Sequence, residues 1–132
     1  MFLNQLSYQE KKMFLDLSIH VAKANDELSV EEKAMISAYC TEMQLPPIEL
    51  YETEPLETVT SYFALADEHI KKIVLLEVLG LAYADGEFDA AEISMVKKFS
   101  EELGITEEVY NKLHDAIKDY YVVCKALADA VE

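Results

Sequence analysis

Residues 20–32 of this chain return at residues 80–92 without a gap. His20-Val21-Ala22-Lys23-Ala24-Asn25-Asp26-Glu27-Leu28-Ser29-Val30-Glu31-Glu32 lies over Gly80-Leu81-Ala82-Tyr83-Ala84-Asp85-Gly86-Glu87-Phe88-Asp89-Ala90-Ala91-Glu92, Ala22 over Ala82. Ala22/Ala82, Ala24/Ala84, Glu27/Glu87 and Glu32/Glu92 are identical, Leu28/Phe88 keeps an apolar pin and Ser29/Asp89 keeps a cap. Further on, Met35/Met95, Ile36/Val96, Tyr39/Phe99, Met43/Leu103 and Leu45/Ile105 keep one buried stripe. Each half therefore reads as a helical hairpin with an apolar stripe that it cannot cover alone. Two copies can pack their central helices together in pseudo-twofold symmetry, with Leu28 and Phe88 as matching plugs.

Within the second copy, Ala84-Asp85-Gly86-Glu87-Phe88-Asp89-Ala90-Ala91-Glu92 follows the apolar run from Ile70 to Tyr83. Gly86 is placed to stop that helix, because glycine reaches positive φ without a Cβ clash. Asp89 restarts one, and Asp89-Ala90-Ala91-Glu92 has capping-box spacing. Helix, turn and helix account for these residues without any ligand. A second reading starts from the carboxylates. Asp85, Glu87, Asp89 and Glu92 crowd a bend that can aim them at one point, and hard cations such as calcium or magnesium take oxygen ligands. The stretch is too short for a twelve-residue EF-hand loop, and Glu92 comes too early to be its bidentate glutamate. Capping also competes with ligation for the oxygens of Asp89 and Glu92.

The rest of the chain reads as all-α. Its 132 residues, 52% hydrophobic, suffice for one domain with a core, and three Gly and three Pro leave little room for long irregular loops. Ser7-Tyr8-Gln9-Glu10 is a capping box that opens a first helix. Leu6, Met13, Leu17, Val21 and Ala24 form its stripe, widened by Phe14, Leu15, Ile19 and Ala22 to the coverage of a central helix. It ends at Asn25-Asp26, which tolerate left-handed φ. Ser29-Val30-Glu31-Glu32 opens a second helix that Gln44-Leu45-Pro46-Pro47 stops. A short helix around Ile48, Leu50 and Tyr51 follows, and another begins at Pro55 with Leu56, Val59, Tyr62, Phe63 and Leu65 inward. Glu49, Glu52, Glu54 and Glu57 form a solvated face. Asp67 begins the second central helix, Ile93, Val96, Phe99 and Leu103 line the next, and Gly104 ends it. Thr106 caps a last helix burying Val109, Leu113, Ile117, and Tyr120 or Tyr121, with Cys124 and Leu127 as further candidates and fraying beyond. The expectation is one domain over 1–132 of about seven helices. Its halves are 7–45 and 67–105, its bridge 46–66 and its C-terminal helix 106–127.

Charge excludes some partners. The net charge is −15, from 26 acidic and 11 basic residues, and every basic residue is lysine. Nucleic acid and anionic membrane surfaces repel such a chain; a cation or a basic protein suits it. Cys40 and Cys124 show no CxxC and no framework spacing, which points to thiols in a reducing compartment. Met1-Phe2-Leu3-Asn4-Gln5-Leu6 lacks a basic region and a long apolar core, and no run of about eighteen apolar residues occurs. The expected location is cytoplasmic.

The stretch 84–92, followed by Leu103-Gly104-Ile105, resembles the mark of the TerB-like family, the tellurite-resistance protein TerB and its relatives. That mark is a helix ending in Ala-Asp-Gly, an acidic or polar residue, an apolar one, and a Glu opening the next helix. A similar domain occurs in a membrane-anchored DnaJ-type co-chaperone. The resemblance covers roughly residues 10 to 125. It implies about seven helices with an internal duplication, a link to tellurite and chemical stress, and metal binding by Asp85, Glu87, Asp89 and Glu92. The first half departs from the mark, with Asn25 where Asp is expected and Asp26 in place of Gly.

Catalytic motifs are missing. No HExxH, ExxH pair, GxxxxGK[ST] or GxGxxG occurs. His20, His69 and His114 are single; His20 reads as a hydrogen-bonded core or rim residue and His114 as part of an exposed helix. The expectation is therefore no enzyme. It is a binding module with a divalent cation at 85–92 or, alternatively, a metal-free scaffold whose acidic surface docks a basic protein.

Overall fold

Helix boundaries follow the caps. The computed structural model describes residues 1–26, 28–46, 54–84 and 89–132. Among them stand a short 3-10 helix, Leu3–Gln5, and six α-helices. These are α1 (Tyr8–Ala22), α2 (Val30–Glu42), α3 (Leu56–Ala64), α4 (Glu68–Ala82), α5 (Ala90–Glu102) and α6 (Glu107–Ala130), with no strand among the described residues. The short helix expected near residues 48–51 lies outside the described residues. Ser7 and Ser29 each accept from the backbone three positions on, and Glu10 and Glu32 reach back to close both boxes. Asp67, Asp89 and Thr106 accept in the same way at α4, α5 and α6.

The offset of sixty runs through these elements. α1 and α4 both have 15 residues and α2 and α5 both have 13, with Tyr8/Glu68 and Val30/Ala90 as first residues. Lys11 Nζ donates to the Met43 carbonyl at 3.2 Å, and Lys71 Nζ donates to the Leu103 carbonyl at 3.0 Å. Each lysine thus satisfies a carbonyl at the end of the next helix, where the dipole favours a cation.

Both second helices of the hairpins end in a Schellman turn. Leu45 N–H donates to the Cys40 carbonyl and Gln44 N–H to Thr41; Ile105 and Gly104 do the same to Ser100 and Glu101. The left-handed residue is Gly104 in one (φ 78) and Gln44 in the other (φ 58). A side chain there costs about 1–2 kcal/mol, while glycine loosens the unfolded chain by about 0.4–1 kcal/mol. Gln44→Gly is therefore expected to raise stability by about 0.5 kcal/mol, and Gly104→Gln to lower it by about as much, since the same two effects act in reverse. Urea midpoints at constant slope measure both.

Apolar faces meet at the centre. α1 and α4 pack on each other; α3 rests on α1 and α5, and α6 on α4 and α5. Phe14, Leu17, Val21, Val74, Val78 and Leu81 are fully buried. Phe14 meets Tyr39 edge to face at 5.1 Å between ring centroids, and Phe63 meets Phe99 at 6.4 Å. Leu28 is half-buried against this core, and Phe88 lies outside the described residues.

Three expectations change. Leu65, expected inward, is 90% exposed, because α3 ends at Ala64 and the chain turns there. α6 continues to Ala130 instead of fraying near 127, yet its buried residues are Tyr110 and Ile117. Leu127 is 64% exposed, because α6 outruns the helices beneath it; of the tyrosine pair, Tyr121 packs inward and Tyr120 is exposed.

Candidate functional site

The end of α1 meets the start of α5. Past the end of α1, Asp26 takes positive φ (65°) and Asn25 is exposed beside the start of α5. Asn25 Nδ2 donates to Asp89 Oδ2 at 2.6 Å and to Glu92 Oε2 at 3.3 Å. Asp89 Oδ1 accepts from the Glu92 N–H at 2.9 Å as the cap of α5. Both oxygens of Asp89 are thus engaged, one locally and one across the molecule. Glu92 is buried, and Asp89 is half-buried.

Of the four carboxylates singled out above, the structure places these two together. Asp85 and Glu87 lie outside the described residues. Among the described residues, no group of three or more His, Cys, Asp or Glu is arranged to hold a metal ion. In the first half, the Ser29 hydroxyl accepts from the Glu32 N–H at 3.0 Å and the Ser29 N–H donates to Glu32 Oε1 at 3.0 Å. Glu32 serves its own cap, whereas Glu92 reaches the opposite turn.

The histidines are all hydrogen-bonded. His20 Nε2 lies 2.8 Å from the Glu54 carbonyl and His69 Nε2 lies 2.8 Å from Gln5 Oε1. His114, read above as exposed, is half-buried and its Nε2 lies 2.8 Å from the Tyr83 hydroxyl. Burial, and then Lys118, hold its pKa below the ordinary 6.5. Cys40 is buried and Cys124 half-buried, both as thiols.

Sequence reading missed Glu77. Its side chain is 3% exposed on α4, between Leu76 and Val78, and it receives the α-ammonium of Met1 at 2.9 Å. The signal was present as the single acid breaking the run Ile73–Leu81. A carboxylate on the covered face of a helix requires a cation, and the sequence supplies none within reach along α4.

No helix among the described residues is long and apolar enough to cross a membrane. No family model, curated protein or solved structure matches the chain.

Proposed function

We propose that this all-α chain is a non-enzymatic, cytoplasmic TerB-like module, internally duplicated, that binds a divalent cation at the turn 85–92, calcium or magnesium above others. The duplication is supported by helix boundaries, Schellman turns and lysine contacts that agree at one offset. The observation that carries the cation reading is the convergence of Asp89 and Glu92 on one atom of Asn25. A donor with partial positive charge stands between two carboxylates. Rotating the amide would present its oxygen instead, so that three oxygen ligands face one point. Asp85 and Glu87 are the further ligands. A link to tellurite or chemical stress belongs to the same proposal and rests on the resemblance.

Thermal unfolding of the EDTA-stripped chain tests the reading, with calcium, magnesium, manganese and zinc added singly. A cation at a hundred times its Kd adds about 2.7 kcal/mol, a Tm rise of several degrees for a chain of this size. Asp85→Asn abolishes that rise. No rise with any cation removes the metal site. The second reading is a scaffold whose acidic surface docks a basic protein, favoured by the exposed Glu54, Glu57, Glu101, Glu102, Glu107 and Glu108. Salt-sensitive capture of a lysine-rich protein distinguishes it.

A further inference from the structure

Glu77 marks a second site that the acidic turn does not involve. The Met1 ammonium donates to Glu77 Oε2 at 2.9 Å and Oε1 at 3.1 Å, and to Glu42 Oε1 at 3.1 Å. Glu42 Oε2 accepts from the Leu3 N–H at 3.0 Å. Behind the carboxylates lies a cleft of about 390 Å3 between α2, α4 and α6, walled by Met35, Ala38, Tyr39, Gly80, Ile117 and Tyr121. Two hydroxyls fasten its wall, Tyr39 Oη donating to the Glu77 carbonyl at 2.9 Å and Tyr121 Oη to the Gly80 carbonyl at 2.8 Å. We propose that this cleft is a receptor for a primary alkylammonium group, with Glu77 as its buried anion and Glu42 as its second acceptor, and that the Met1 ammonium holds the two carboxylates at its edge in this structure.

The chemistry is specific. Three N–H donors of a primary ammonium match three carboxylate oxygens, and a hydroxyl or an amide supplies neither the charge nor three donors. A carboxylate buried on an apolar helix is costly until a cation reaches it. The apolar wall beyond suits a short alkyl tail. Met1 itself is 51% exposed, so the occupant can leave without disturbing the core. Burial alone would lower the pKa of the ammonium, but its hydrogen bonds to Glu77 and Glu42, and their charges, raise it above the ordinary 8.0. Burial pushes Glu77 above the ordinary carboxylate value of 4.5, against the ammonium. An amine pKa raised on folding contributes stability that is complete below pH 8 and lost as pH climbs through the raised value. The other titratable groups facing the ammonium are Tyr39, Tyr120, Tyr121 and Cys124. Burial raises Tyr39 and Tyr121 above 10, and the neighbouring Cys124 raises Tyr120.

The experiment compares the 132-residue chain bearing a free α-amino group with the same chain Nα-acetylated. Acetylation is expected to lower Tm by about 5–10 °C, the range for stripping a partly exposed partner from a buried charge. Millimolar n-propylamine at pH 7 restores the acetylated chain, n-propanol does not, and neither moves the free-amine chain. In Glu77→Gln the gap between acetylated and free chains closes. Equal Tm values, a gap that persists in Glu77→Gln, or restoration by propanol as well as amine each overturn the receptor, as does failure of propylamine to restore. Should the acetylated chain not fold, NMR titration of the free chain decides. An α-amine titrating above 8 that returns to about 8 in Glu77→Gln supports the site, and an ordinary value in both refutes it.

Discussion

Phe63→Ala lowers the stability of this chain by about 4 kcal/mol, within the range for truncating a buried aromatic. Phe63 is fully buried on α3 and stands edge to face against Tyr62 at 5.2 Å and Phe99 at 6.4 Å between centroids. The loss combines the removed apolar area, the cavity left between α1, α3 and α5, and two aromatic pairs worth about 0.5–1.5 kcal/mol each. α3 is the short helix joining the two hairpins, so it has few other anchors to hold it while the cavity closes. Leu65→Ala, two residues on, is expected to change stability by less than about 0.5 kcal/mol, because Leu65 is almost wholly in water. Urea unfolding at constant slope separates the pair, and similar losses at both positions would show that burial does not govern this segment.

Asn25→Asp destabilises the metal-free chain by about 2 kcal/mol and makes its stability dependent on pH and on cations. The substitution removes the donor shared by Asp89 and Glu92 and sets a third carboxylate against them, where the Asn25 nitrogen now lies 2.6 Å and 3.3 Å from their oxygens. Lost hydrogen bonds to charged groups and like-charge repulsion act in the same direction. Repulsion raises the carboxylate pKa values in the folded state, so the variant recovers stability as pH falls toward 5. Calcium or magnesium at millimolar concentration also restores it if the turn is a cation site, and Asn25→Ala then shows no such gain. The measurement is Tm against pH and against each cation. A variant as stable as the parent at pH 7 without cations would show that Asn25 does not hold the turns together.

How far the sequence reaches is set by the range of the forces. Ser7, Ser29, Asp67, Asp89 and Thr106 each act on a backbone group three residues away, so local spacing suffices to place five helix starts. The Gly104 turn was legible because only glycine is comfortable at positive φ. The matching turn at Gln44 was not, because glutamine carries no such mark and its φ is imposed by the Schellman bonds around it. Periodicity identified the core faces of α1, α2 and α5. It did not tell how far α6 is covered, since a stripe records that residues can be buried and not whether a neighbour is present.

The candidate site divides in the same way. Four carboxylates in one bend are visible along the chain, but the partner of Asp89 and Glu92 is Asn25, at the end of a helix in the other half. Sequence alone determined the all-α class and most of the helix boundaries, because caps, turns and stripes act within a turn or two of helix. Tertiary structure alone decided that Asn25 reaches Asp89 and Glu92, that His114 leans on Tyr83, and that the Met1 ammonium meets Glu77. Those pairings depend on which helix faces meet, and a charge at the far end of the chain becomes a neighbour only after α1 and α4 have packed.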